Sequence, residues 1–190
     1  STWGRDPGSS FIYNDTIYVI KKDGSLLAFD KDLNPKENTL NLKLPANATL
    51  YSVIYNKDKN KFAILDTNYN LYFAEIGSEA TQIKKLTTST YDATQSKNYR
   101  IESISSDGNY IYSVASGDNV NGFETNVIDW EGNLIKEKLI LKGEINSNMT
   151  NGGYNIQQAM FMNNKSYVVG LSFSSNTGAY ILESKFSFNK

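Results

Sequence analysis

A chain of 190 residues with 19 basic and 20 acidic side chains has room for one domain with a substantial core, and shows none of the basic stripe of a nucleic-acid binder. It has no cysteine and no histidine, which excludes disulfides, thiolate and imidazole metal ligands, Ser-His-Asp and Cys-His chemistry, and the usual near-neutral general base. The longest apolar runs, such as Tyr167–Leu171, are one strand long and far below the roughly 20 residues of a spanning helix, so no membrane insertion is expected.

In chain order, a hairpin pattern recurs four times, at 10–20, 52–65, 103–114 and 158–170. In each passage an apolar stretch meets a polar turn and a second β-rich stretch follows. Repeats of this kind, each burying its faces against its neighbours, indicate an all-β chain: a β-propeller of about four blades of antiparallel strands, or part of a larger propeller. The chain is expected to be one domain, 1–190, with blades near 8–48, 49–90, 97–145 and 154–190.

In the first unit Thr16–Ile20 alternates and Asp23-Gly24 suggests a tight turn with positive φ at both residues. Ser25–Asp30 follows, Pro35 falls in a loop, and the alternating Leu40–Leu44 is the expected outer strand, ended by Pro45. The second unit places strands at Leu50–Tyr55, Lys61–Asp66, Asn70–Glu75 and Gln82–Leu86. The third places them at Arg100–Ser105, Tyr110–Ala115, Glu124–Trp130 and Leu134–Leu141. In the last unit strands are expected at Ile156–Met162, Ser166–Phe173 and Gly178–Ser187, with no outer strand before Lys190. Residues 1–10, anchored by Trp3, are the expected source of that missing strand. Residues 87–99 and 143–153 are polar, lack alternation and are longer than hairpin turns, so they are the expected contact loops.

Val127-Ile-Asp-Trp-Glu-Gly-Asn-Leu-Ile-Lys136 resembles the blade motif of six-bladed, TolB-like propellers of bacterial surface and secreted proteins. Phe29-Asp-Lys-Asp-Leu-Asn-Pro-Lys36 is similar to it at the corresponding place of the first unit, and Ser105-Ser-Asp-Gly-Asn-Tyr110 resembles a turn of the same class. The resemblance implies an architecture, since these motifs specify turns rather than a chemistry. Six such blades need more chain than is present, so the ring is expected to close with four blades or to be completed by a partner chain.

The oxygen-bearing side chains group in three places. Asn56, Asp58 and Asn60 alternate like the start of a calcium loop, but Lys61 stands where glycine is needed and no closing carboxylate follows. Asp118–Gly122 forms a β-turn pattern near Glu124. Asp129 and Glu131 flank Trp130, a pair that could serve glycoside hydrolysis across a cleft but that the recurring turn explains without catalysis, which is the favoured reading. No catalytic residue, metal ligand or cofactor is therefore assigned. Among the aromatic side chains, those on strands (Tyr18, Tyr72, Tyr110, Tyr112 and Tyr167) are read as blade packing. Trp3, Tyr91 and Tyr99, off the expected strands, are the ligand-contact residues.

The resulting expectation is a non-enzymatic module that binds a protein or glycan through loops on one propeller face. Its alternatives are a structural subunit completing a larger assembly through open blade edges and, least favoured, a carboxylate-based glycosidase or lyase. The asparagine-rich bias fits an AT-rich bacterial genome. The lack of cysteine and of a leader after Ser1 suggests a secreted or surface protein, processed or excised from a longer one.

Overall fold

The computed structural model describes residues 10–21, 23–117, 123–141, 154–162, 165–172 and 179–184, with backbone alone from residue 141 onward. The expected strand at residues 1–10 with Trp3, and the loop 143–153, lie outside them but for Ser10. Seventeen strands and no helix occur among the described residues. The chain divides after Leu86 into two compact units, a division that the even composition does not announce.

The first unit holds two four-stranded antiparallel sheets. One is β1 (Ser10–Tyr13), β2 (Thr16–Ile20), β3 (Leu26–Phe29) and β4 (Pro35–Lys36). The other is β5 (Leu50–Asn56), β6 (Lys61–Asp66), β7 (Asn70–Ala74) and β8 (Thr81–Lys85). Because side chains alternate across a strand, Phe11, Tyr18 and Ala28 share one face of the first sheet. That face meets Val53, Phe62, Ile64 and Tyr72 of the second in one apolar cluster. Phe62 is its hub, with ring centroids of Phe11, Tyr13 and Tyr55 at 6.4, 5.1 and 4.7 Å. A fully buried side chain of this size contributes roughly 1.5–3 kcal/mol.

Two details of this unit differ from the sequence expectation. Only Gly24 of the Asp23-Gly24 pair takes positive φ, +80°; its N–H donates to the Lys21 carbonyl, and Lys21 N–H to that of Ser25. The outer strand is β4, not Leu40–Leu44, because the turn at Asp30 reverses the chain within four residues and the segment straight after it pairs with β3. Pro35 is tolerated there because an edge position requires no second N–H. Leu40, Leu42 and Leu44 instead pack on the apolar cluster from irregular chain, joined to the second sheet by a single parallel bridge between Lys43 and Glu79.

The opposite face of the first sheet is apolar as well. Cross-strand rows Ile12–Ile17–Phe29 and Ser10–Val19–Leu27 carry no charge, and Ile12 is 66 % and Leu27 44 % exposed.

The second unit holds β9 (Thr90–Asp92) and β10 (Lys97–Asn98) as a small hairpin, then β11 (Arg100–Ser106), β12 (Tyr110–Ser116), β13 (Phe123–Asp129) and β14 (Leu134–Leu141) as a four-stranded sheet. β15 (Tyr154–Met162), β16 (Lys165–Ser172) and β17 (Ala179–Ser184) form a three-stranded sheet. Residues 87–99 thus carry two strands where none was expected. The hairpin is held by Asp92, whose carboxylate accepts from the N–H groups of Thr94 and Gln95 and from the Thr94 hydroxyl. It is tied to β13 by buried Glu124, whose two carboxylate oxygens accept from Ser89 N–H at 3.0 and 3.1 Å.

Candidate functional site

One local device builds the turns. In Asp30–Asn34, Asp66–Asn70 and Asp129–Asn133 the aspartate Oδ1 accepts from the backbone N–H groups two and four residues on, and Oδ2 accepts from the asparagine side-chain amide. The residue before each asparagine stands at positive φ: Leu33 at 63°, Tyr69 at 66° and Gly132 at 96°. Side chains of this kind compete well for turn N–H groups. The Asp-x-x-x-Asn spacing was visible in the sequence. Its Asp66 copy joins the second and third strands of its sheet rather than the third and fourth.

The third sheet turns this device into a site. The β11–β12 turn is set by Asp107, whose Oδ1 accepts from Asn109 and Tyr110 N–H and whose Oδ2 accepts from the Tyr112 hydroxyl at 2.7 Å. Burial first, and then the neighbouring Asp107, push the Tyr112 phenol well above its ordinary pKa. Tyr110 pairs in register with Asp129, so the β11–β12 turn and the β13–β14 turn lie side by side. Between them opens a cleft of about 630 Å³ lined by Asn109, Tyr110, Asp129, Glu131 and Ile135.

Burial by itself would raise the Asp129 carboxyl. The Asn133 side chain and the backbone N–H groups of Asn133, Glu131 and Gly132 outweigh it and hold the group below its ordinary value. Trp130, between the two acids, is 1 % exposed and faces the core. The pair therefore does not frame an indole face, as the sequence had allowed.

Of the expected contact residues, Trp3 lies outside the described residues, while Tyr91 and Tyr99 come together with ring centroids 5.2 Å apart. Tyr91 sits within β9, not off the strands, and Tyr99 is 7 % exposed. Burial first, then Glu124 and Tyr91, push the Tyr99 phenol upward. Neither residue lines the cleft, whereas Tyr110, read from sequence as blade packing, does.

The Asn56–Asn60 oxygens serve their own hairpin turn: Asn56 Oδ1 accepts from Lys59 N–H and Asn60 Oδ1 from the Tyr55 hydroxyl. Asp118–Gly122 lies outside the described residues. Among the described residues no group of three or more acidic side chains is arranged to hold a metal, and no helix is long and apolar enough to cross a membrane.

No protein-family model matches the sequence, and no curated protein matches it. Solved structures do. Raptor of Chaetomium thermophilum superposes with a TM-score of 0.51 at 14 % identity, over 93 % of this chain and 15 % of that one. The Cps50 (Swd1) β-propeller domain of Myceliophteria thermophila gives 0.48 at 11 % identity over 88 % of this chain and 52 % of its own. BamB of Moraxella catarrhalis gives 0.45 at 8 % identity over 92 % and 52 %. The chain thus spans about half the length of the Swd1 and BamB chains. Within each antiparallel sheet every strand pairs with the next in sequence, which makes this an all-β chain of propeller-type blades.

Proposed function

We propose that the chain is a non-enzymatic recognition module, TolB-like in kind, of a secreted or cell-surface bacterial protein, binding a protein or glycan partner through one end of its blades. The observation that carries this reading is the open cleft at the end of the third sheet. Two aspartate-capped turns hold an aromatic ring, an amide, carboxylates and an apolar side chain around it without a helix or long loop, and a rigid mixed lining of this kind suits selective binding. Catalysis is the weaker use of the same residues. Asp129, held below its ordinary range, does not suit the general-acid role of a glycosidase.

The test is a screen of the purified chain against extracellular-protein and glycan panels by biolayer interferometry. Tyr110→Ala is expected to weaken the ligand found by about tenfold or more while the chain keeps its native circular-dichroism spectrum. A ligand indifferent to that substitution would remove the cleft from the reading.

A second reading, a subunit of a larger assembly, is favoured by the uncharged outer face of β1–β4. Like sheets from two copies would meet there without charge repulsion. Light scattering across a concentration series tests it: a mass fixed at 21.3 kDa at all concentrations sinks it.

A further inference from the structure

We propose that the uncovered face of β1–β4 receives the last sheet, β15–β17, of a second copy of this chain, head to tail, a refinement that rests on the assembly reading above. Side chains alternate along a strand, so pairs counted outward from each hairpin turn mark equivalent faces of the sheets. In the second sheet the closing pair is Asn56–Lys61, and the first and third pairs after it belong to the rows Tyr55–Phe62–Ala74 and Val53–Ile64–Tyr72. Those rows receive the first sheet: Tyr13 stands against Tyr55 with ring centroids 4.8 Å apart, and Phe11 stands edge-on to Phe62. In the third sheet the first pair after Ser106–Ile111 belongs to the row Ser105–Tyr112–Val127, where Tyr112 and Val127 are buried. In the first sheet the same count from Tyr13–Thr16 gives Ile12–Ile17–Phe29 and Ser10–Val19–Leu27. None of these six side chains is buried. The first sheet thus carries the same receiving face, uncovered.

The occupant follows from the stacking that the chain already uses. β1 and β2 meet β5, and β11 and β12 meet β15, so within each unit the later sheet receives the earlier one through its first strand. The side presented is the other set of rows, Phe11–Tyr18–Ala28 in the first sheet. β15–β17 is the receiver in its own unit, and no described strand follows it, which leaves its presenting side for the next sheet in the order. One chain therefore holds both halves of the contact, and a heterologous pairing of copies needs no further component. The receiving rows are uncharged, so seating a sheet there strands no ion. Four short strands bury on the order of 1,000 Å² across the two copies. That is small for a stable dimer, and a dissociation constant of roughly 10–1,000 µM is expected.

The test sets a photocrosslinker at the rim of this face. The chain has no cysteine, so Ser10→Cys, at an exposed position, is the single attachment point for a benzophenone maleimide and leaves the apolar side chains of the rows in place. An equal mixture of unlabelled and isotope-labelled copies is irradiated, digested and mapped by mass spectrometry, with light scattering across a concentration series beside it. Mixed-isotope crosslinks from residue 10 of one copy to 154–184 of the other are expected, with a mass that rises above 21.3 kDa as concentration rises. Ile12→Lys with Leu27→Lys, both at exposed positions, should weaken the association at least about tenfold, because each charge would be buried against the incoming sheet. Should the double variant lose its native spectrum, the crosslink map decides the matter.

Mixed-isotope crosslinks to 10–36 would mean a face-to-face dimer and overturn the head-to-tail inference, as would crosslinks within single copies alone. The assembly reading fails separately, when the mass stays at 21.3 kDa at every concentration.

Discussion

Asp66 in the first unit and Asp129 in the second close the same five-residue turn with the same three hydrogen bonds, yet their environments differ in kind. Asp66 is 1 % exposed, and its Oδ2 takes a further bond from the Tyr72 hydroxyl at 3.2 Å, so the carboxylate is saturated and sealed. Asp129 is half-buried, holds three bonds from neutral donors and faces an open cleft. The lesson is that one folding device yields either a sealed or an open carboxylate, according to its burial and to whether a neighbouring tyrosine adds a donor.

Asp66→Ala breaks the comparison most strongly. It orphans Asn68 and Asn70 N–H and the Asn70 amide in a part-buried setting and the Tyr72 hydroxyl in a buried one. The expected loss is about 3–4 kcal/mol, since each unsatisfied buried donor costs roughly 1–3 kcal/mol and the losses overlap. Asp129→Ala, with its freed donors near solvent, should lose only about 1–2 kcal/mol. Urea unfolding followed by far-ultraviolet circular dichroism measures both. Equal losses would mean that burial does not separate the two turns.

Gly24 and Gly108 give the next contrast, again one from each unit. Both stand at positive φ, +80° and +90°, but a Cβ on Gly24 would meet Thr49 Cγ2 at 2.9 Å and Leu50 N at 3.0 Å, while one on Gly108 would meet nothing within 4 Å. Gly108→Ala therefore carries only the backbone cost, about 1–2 kcal/mol. Gly24→Ala adds overlap with main chain that cannot move aside, and about 2–4 kcal/mol is expected. The same denaturation series ranks them, and a Gly24 variant no worse than the Gly108 one would contradict the close approach.

Acid separates the turns by charge. For Asp129, hydrogen bonds overcome a burial effect of opposite sign, and the folded-state carboxyl lies below the ordinary 3.8. A lowered value means that the stability it confers is fully present above the unfolded pKa and is lost as pH falls through the folded one. Asp23, Asp30 and Asp92, lowered chiefly by side-chain hydrogen bonds from Ser25, Asn34 and Thr94, act in the same direction. Stability should hold from neutrality down to about pH 4 and fall below it. Asp129→Asn should show a shallower fall in that window, read as the unfolding midpoint at half-unit steps of pH.

The hairpins were legible in the sequence because short β-rich apolar runs and turn residues agree at Thr16–Ile20, Lys61–Asp66 and Tyr110–Ala115. Alternation misled at Leu40–Leu44, where every second residue is a leucine packed on a core that irregular chain can reach, so the period reports burial and not pairing. The cleft was not legible at all. It needs Tyr110 and Asp129 side by side, an adjacency fixed by strand register across residues far apart in the chain. The turn residues themselves were seen, at Asp129 and Glu131, but the buried side of Trp130 depends on which face of β13 the core occupies.

The smallest expected effect sharpens the turn comparison at its last residue but one. Gly132 takes φ 96° without a side chain, while Leu33 holds φ 63° with one and is 67 % exposed. A side chain in the left-handed region costs roughly 1–2 kcal/mol, and Leu33 has little burial to offset it. Leu33→Asn keeps a side chain that tolerates this region and replaces an exposed apolar group, so the variant should gain about 0.5 kcal/mol. Leu33→Gly removes the strain wholly but loosens the unfolded chain as well, which should leave its gain about the same or less. Both are measured by urea unfolding beside Gly132→Ala, expected to lose about 1 kcal/mol. A gain at Leu33 with a loss at Gly132 would show that the aspartate–asparagine clasp imposes the backbone at this position, and the residue standing there only adapts to it.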